Sequence, residues 1–198
     1  RRRPVVALRA LVRTPIERAV FGLARVLPRS GVVVFESNLG NDLGDSPGGI
    51  HRALVAAGVP ARTAWVVRPG IDAPAGSTPL TRLSLRYLWT TGRASAWVTN
   101  QNMPSWMRRP SATFYLQTWH GTPLKRMLHD LDSVVGRDAG YVSRVDRMIG
   151  EWSLLLSPSP WASERFRSAF GYRGEVLEVG YPRNDALADD TTASRVES

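Results

Sequence analysis

Val32-Val33-Val34-Phe35-Glu36 is followed by Ser46-Pro47-Gly48-Gly49 and, beyond a helical run that stops at Gly58, by Thr63-Ala64-Trp65-Val66-Val67. The outer two are short, β-branched apolar runs, the pattern of strands buried on both faces. Between them, Ser46 reads as an N-cap and Pro47 as the first helical residue. Ile50, Leu54 and Val55 give that helix its apolar side. Strand, helix and strand in this order form a βαβ unit, whose two strands lie parallel. The rhythm continues outward. Further strands are predicted at 96–99, 113–117, 154–156 and 175–178, and helices at 83–91, 124–129, 140–150 and 160–170. The Pro/Gly-rich stretch before residue 83 reads as loop. The fold class is therefore α/β, a Rossmann-like doubly wound parallel sheet. No internal repeat or low-complexity tract interrupts it.

Composition agrees. Of 198 residues, 43% are hydrophobic and 22% charged, the mix of a packed globular chain rather than a disordered one. No apolar run is long enough to span a bilayer. With no cysteine, a disulfide scaffold, a thiolate metal site and a cysteine nucleophile are all excluded. The chain opens on Arg1 rather than Met, which reads as a piece of something longer.

The net charge of +9 suggests nucleic acid until it is located. Residues 1–30 hold eight arginines against one acid, Glu17, leaving only +2 for the rest. A body so nearly neutral argues against nucleic acid as a partner. Pro15 divides the arm into two predicted helical patterns. Val5, Leu8 and Val12 oppose Arg9 and Arg13; Ile16, Val20, Leu23 and Leu27 oppose Arg18, Arg25 and Arg29. Apolar on one side and arginine on the other suits a helix lying on an anionic membrane surface. An ordinary surface helix packed on the domain is the plainer alternative. Residues 1–30 are thus expected as a basic arm, 31–187 as the lobe, and 188–198 as a polar tail or linker.

In a doubly wound sheet, ligands bind in the crevice beyond the carboxyl ends of the strands. Residues 36–46, 100–103, 119–125 and 157–160 land there. Ser46-Pro47, Thr122-Pro123 and Ser159-Pro160 each read as a hydroxyl cap before a first-turn proline, so each is expected to open a helix mouth that can hold an anion. The stretch from Gln117 to Lys125 is the richest. Lys125 is placed in a first turn, where a cation opposes the helix dipole unless a phosphate lies between them. His120 stands at a strand end before Gly121, and imidazole as a class exchanges protons near neutral pH. His51 and His129 read as surface residues within helices. Paired-glycine dinucleotide, Walker-type and Gly-x-Ser-x-Gly motifs are absent. Gly44-Asp45-Ser46-Pro47 lacks the Asp-x-x-His partner block of a GDSL-type esterase. Three scattered histidines give no metal-site spacing.

Phe35-Glu36-Ser37 with Gly40, Asp45-Ser46-Pro47 and Ile50, then Gln117-Thr118-Trp119-His120-Gly121-Thr122-Pro123-Leu124-Lys125, Ser157-Pro158-Ser159 and Gly180-Tyr181-Pro182-Arg183-Asn184-Asp185 occur in this order. Together they resemble the CDP-glycerol glycerophosphotransferases of teichoic acid biosynthesis over about residues 31–187. The resemblance implies the first, acceptor-facing lobe of a GT-B architecture, with a cytidine-diphosphate-binding second lobe not visible here. That other lobe supplies the family's second important histidine, which has no equivalent in this chain. The implied reaction moves a polyol-phosphate unit, glycerol or ribitol, from a CDP-activated donor to a hydroxyl of a membrane-linked acceptor, with release of CMP. His120 carries over as the catalytic residue. Ser37, Asp45, Ser46, Gly121, Thr122, Lys125, Arg183, Asn184 and Asp185 are the expected phosphate- and substrate-binding residues. Nothing calls for a cofactor, and metal assistance stays open. The implied setting is peripheral, on the cytoplasmic face of the cell membrane. A non-catalytic module of the same fold, holding acceptor or lipid, is the alternative function.

Overall fold

The apolar runs pair side by side, as buried β-branched strands do when helices can cover both faces. The computed structural model describes residues 3–134 and 136–187, with side chains from residue 14 onward. Its strands are β1 (Val32–Glu36), β2 (Arg62–Val66), β3 (Thr78–Leu80), β4 (Ala96–Thr99), β5 (Phe114–Gln117), β6 (Leu154–Ser157) and β7 (Glu175–Glu178). All pair parallel, in the order β3-β2-β1-β4-β5-β6-β7. Chain progression reverses at β1, so β1 and β4 are adjacent while their connections leave in opposite senses. Glu36 pairs with Thr99 at this switch point, and ligand crevices in such sheets open there.

The period of two along each strand separates two cores. On one face Val34, Val66, Trp97, Tyr115 and Leu155 meet α1 (Arg3–Val26), α3 (Leu85–Arg93), α4 (Tyr141–Ile149) and α5 (Pro160–Phe170) through Phe21, Leu88, Ile149 and Phe166. On the other, Phe35, Trp65 and Val98 pack under Ile50 and Leu54 of α2 (Asp45–Ala56). Phe35 and Trp65 stack at 5.2 Å. The sheet is doubly wound, as the strand–helix rhythm predicts.

The structure corrects several local expectations. β3 lies within the stretch read as loop; it is three residues long with Pro79 at its centre, which only an edge strand accommodates. No helix follows Thr122-Pro123. Residues 122–127 are irregular and only a 3-10 turn, Leu128–Asp130, appears, because Leu124, Lys125 and Arg126 are all exposed and a helix there would bury no apolar side. His129 lies in that turn, paired with Asp146 at 2.7 Å. His51 is not a surface residue: it is 6% exposed, edge-on to Phe35 and Trp65, and burial lowers its proton affinity. α2 starts two residues early, at Asp45, so Ser46 is not its cap. Ser159 does cap α5, accepting from the Ala162 amide at 3.3 Å ahead of Pro160.

The arm forms one helix, α1, that runs through Pro15. The ladder bond proline removes is offset by packing of the following turns on α3. Phe21 and Ala24 face inward; a Cβ at Gly92 would lie only 2.6 Å from that of Ala24, so glycine is what lets these helices approach. Ile16 and Leu23 of the expected apolar side stay exposed, as does Val26 beside them. Arg29 does not project with Arg18 and Arg25. It lies past the helix, and its guanidinium donates to the carbonyls of Arg25, Leu27 and Gly92. The expected stripe of Val5, Leu8 and Val12 opposite Arg9 and Arg13, and the polar tail, lie outside the described residues and side chains. Among the described residues no helix is long and apolar enough to cross a membrane.

Beneath the switch point, Glu36 is 1% exposed and accepts from Arg82 Nε at 2.8 Å, while its second oxygen has no hydrogen-bond partner among the described residues. Burial pushes its carboxyl upward and Arg82 opposes the rise. Removing one member of such a pair strands the other. Arg82 keeps a quarter of its side chain in solvent (25%), so Arg82→Ala is expected near the lower end of the buried-pair range, about 3 kcal/mol at pH 7. A carboxyl raised in the folded state binds its proton more tightly there than in the unfolded chain. Stability from that proton is complete below the unfolded value, roughly pH 4, and is lost as pH rises through the folded one. Without Arg82 the folded value climbs further, so the variant's deficit widens from pH 4 to pH 7. Urea titrations at both pH values measure this, and equal deficits would disprove the coupling.

Candidate functional site

Four chain segments converge beyond the strand ends: 37–45 after β1, 100–101 after β4, 118–122 after β5, and the 3-10 stretch Pro182–Leu187 after β7. Asn100 is 2% exposed and joins them. Its Oδ1 accepts from the Asn38 amide at 2.9 Å, and its Nδ2 donates to Asp45 Oδ2 at 2.6 Å and to Ser37 Oγ at 3.4 Å. Ser37 Oγ in turn donates to Asp42 Oδ1 at 2.6 Å. The other Asp45 oxygen accepts from Arg183 Nη1 at 2.9 Å. That same nitrogen reaches the His120 carbonyl at 3.2 Å, and the guanidinium lies 4.3 Å over the Tyr181 ring. Tyr181 closes the circuit through Thr122 Oγ1, at 3.0 Å. Close approach of α2 permits the Asp45–Arg183 contact: a Cβ on Gly49 would stand 2.3 Å from the Pro182 carbonyl oxygen.

His120 is exposed, but its tautomer is set. Nδ1 lies 2.9 Å from the Asn100 carbonyl oxygen, which can only accept, so Nδ1 carries the proton and the neutral ring has its lone pair on Nε2. A protonated Nδ1 cannot accept from Gln101 Nε2, 3.4 Å away, so Gln101 is a neighbour and not a bonded partner. The imidazole stacks on Trp119 at 4.2 Å, and Trp119 is wedged among Phe166, Phe170 and Trp152. Beneath, Gln117 accepts from the Trp119 amide and donates to the Gln101 carbonyl. The Tyr115 phenol, pushed up to about 12 by burial, stays protonated and also donates to that carbonyl. Asn38, Leu39, Asp45 and Trp119 hold φ between 44° and 57°, left-handed values that are strained for residues with a side chain and that collect at functional sites.

The structure thus joins His120, Asp45, Ser37, Arg183 and Thr122 in one network, with Gly121 between two of its members. Ser46 is buried and its hydroxyl has no partner among the described residues. Lys125 is exposed on irregular chain, so its expected position in a first turn does not hold. Asn184 and Asp185 are exposed and their side chains stand outside the network. Asn100, Tyr181 and Trp119 also belong to this arrangement, and sequence reasoning did not single them out. The strand-end rule locates 100–103, but only the tertiary contact to Asp45 singles out Asn100. Among the described residues no three His, Asp or Glu side chains converge as a metal site would require.

A family model described as CDP-glycerol:poly(glycerophosphate) glycerophosphotransferase matches residues 19–198. The chain belongs to this family. It is 33% identical to the teichoic acid poly(glycerol phosphate) polymerase of Bacillus subtilis, over 97% of the chain and 27% of that protein. It is 34% identical to the teichoic acid glycerol-phosphate transferase of Staphylococcus aureus, over 85% of the chain and 45% of that protein. Among solved structures, it superposes on a histidine-to-alanine variant of the wall teichoic acid polymerase TagF with a TM-score of 0.84 at 31% identity, covering 96% of the chain and 49% of the other. A histidine-to-asparagine variant of TagF soaked with CDPG gives 0.83, also at 31% identity, covering 94% of the chain and 50% of the other. The chain therefore spans between a quarter and a half of the length of these glycerophosphotransferase relatives.

Truncating Asn100, itself buried, removes a partner from the half-buried Asp45 carboxylate and from the amide of the exposed Asn38. Each such orphan costs about 1–3 kcal/mol. Asn100→Ala is therefore expected to lower the unfolding free energy by about 1–2 kcal/mol, because water reaches part of both groups left behind. Denaturant unfolding checks this, and a change below about 0.5 kcal/mol, the range of ordinary surface substitutions, contradicts the hub assignment.

Proposed function

We propose that this chain is the acceptor-side lobe of an enzyme that transfers glycerol phosphate, or a related polyol phosphate, from a CDP-activated donor to the terminal hydroxyl of a membrane-linked teichoic-acid-type acceptor. The observation that carries the proposal is the His120 tautomer, held by the Asn100 carbonyl beside Arg183 at the sheet's switch point. In this reading the acceptor hydroxyl attacks the β-phosphorus of the donor. Its oxygen forms the new P–O bond, the pyrophosphate P–O bond breaks, and CMP leaves. His120 Nε2 accepts the hydroxyl proton as general base. Arg183 spends one nitrogen on Asp45 and the His120 carbonyl, which leaves further N–H donors for phosphate oxygens as charge develops.

With no helix mouth after Thr122, anion binding on that side falls to the Thr122 hydroxyl and the Gly121 backbone. Ser37 and Asp45 act indirectly, by fixing the loop and Arg183. A cytidine-binding second lobe completes the site in a GT-B arrangement. The arm keeps the enzyme at the anionic cytoplasmic membrane surface; exposed Ile16, Leu23 and Val26 with Arg18 support that role.

The test is His120→Gln in the complete gene product, incubated with radiolabelled CDP-glycerol and CDP-ribitol and a lipid-linked acceptor. Loss of a general base is expected to slow transfer by roughly 10²–10⁴-fold with an unchanged circular dichroism spectrum. Turnover within twofold of wild type would remove His120 from the chemistry. Whichever label enters the lipid product names the polyol.

A further inference from the structure

α5 and the irregular segment 123–130 enclose a cavity of about 350 Å³ that lies beside the network described above and has no role in it. Its α5 wall is one helical stripe, Trp161, Arg165 and Ala169, spaced four residues apart. The opposite wall brings Leu124, Lys125, Arg126 and Asp130. Three cations thus face one carboxylate, and Asp130 already accepts a hydrogen bond from the Ser168 hydroxyl. Among the described residues neither Lys125 nor Arg126 has a hydrogen-bonding or ionic partner. The Arg165 guanidinium rests 5.6 Å over the Trp161 ring. Trp161 and Leu124 are 45% and 79% exposed, so the cavity offers apolar surface as well as charge. Like charges gathered without partners repel, and an anion that bridges them removes the repulsion.

Cations around a small apolar wall suit a particular chemistry. Guanidinium and ammonium groups take phosphate oxygens, while an indole and a leucine cover a short carbon chain. The volume lies near the bottom of the range for small-ligand sites, about 300–1,000 Å³, which fits a short piece of polymer. Lys125 follows His120 by five residues, so their Cα atoms are at most about 18 Å apart. The cavity is therefore within reach of a chain whose end lies at the imidazole, without being the reaction centre.

We propose that this cavity binds a phosphodiester unit of the polyol-phosphate acceptor chain, outside the reaction centre, through Arg126, Arg165 and Lys125 with Trp161 against the polyol carbons. The proposal rests on the transferase reading. The donor's diphosphate shares the same anionic chemistry, so the experiment separates the two sources. The complete gene product carrying Arg126→Ala with Arg165→Ala is compared with wild type on two acceptors of one lipid, bearing a single glycerol phosphate or several repeats. Losing two charge-assisted contacts is expected to raise KM for the long acceptor roughly tenfold, with kcat, donor KM and single-unit KM unchanged. Equal KM values on the long acceptor overturn the proposal, as does a rise confined to the donor. If wild type transfers neither CDP-glycerol nor CDP-ribitol, the transferase reading fails by itself, and the cavity is then judged by direct binding. Titrating the complete gene product with soluble, lipid-free oligo(glycerol phosphate) in a calorimeter is expected to show binding that Arg126→Glu abolishes, at an unchanged melting temperature. Absence of wild-type binding, or identical binding by the variant, overturns the cavity assignment.

Discussion

The pairing of Asp45 with both Asn100 and Arg183 holds the whole crevice in shape. A carboxylate with one oxygen on an amide and the other on a guanidinium is fixed in position. Each partner then does a second task. Asn100 presents its backbone oxygen to the His120 ring, and Arg183 takes the His120 carbonyl. Imidazole, cation and loop are therefore mutually positioned by one side chain that itself sits in a left-handed backbone conformation at φ 52°. Strain of that kind persists only where surrounding contacts over-determine it, and here they come from strands that are not neighbours in sequence.

The sheet beneath explains why the arrangement is stiff. Neighbouring parallel strands β1, β4 and β5 deliver Glu36, Thr99 and Gln117 at one level, all buried. Tyr115, Gln117 and Thr99 hold the loop carrying Asn100 and Gln101 from below through the Gln101 carbonyl. Trp119 continues the same support sideways into the aromatic cluster of α5. The exposed imidazole is thus the tip of a polar and aromatic stack rooted in the core, a suitable mounting for a group that must hold its orientation in solvent.

How much of this was legible follows from how local each determinant is. Six of the seven strands announce themselves as apolar runs bounded by turn residues, and their helices by caps and breakers. β3 did not, because three residues around Pro79 carry too little pattern and are ordered only by pairing with β2. The Thr122-Pro123 cap signal is correct in form, yet Leu124 finds nothing to pack on, so no helix follows. His51 was misread because its aromatic neighbours come from β1 and β2, not from its own helix. In α1 the packed side is decided by the narrow contact of Ala24 with Gly92, which apolar periodicity does not encode. His120 stands out in the sequence by its strand-end position and the motif around it, whereas its tautomer does not, since the deciding acceptor is a backbone oxygen from the end of another strand. Arg183 stands out by motif too, but its carboxylate partner lies 138 residues earlier.

That separation governs when the crevice comes into being. Closing a loop of 138 residues carries an entropic penalty of about 4 kcal/mol before any contact repays it. As the polypeptide leaves the ribosome, the segment before β2 can form its helix early, but Asp45 has no cation to meet until nearly the entire lobe has been synthesised. Gly49 then allows the late-arriving Pro182 turn to seat against α2. The Asp45–Arg183 contact can therefore form only after the strands beneath the crevice have been made.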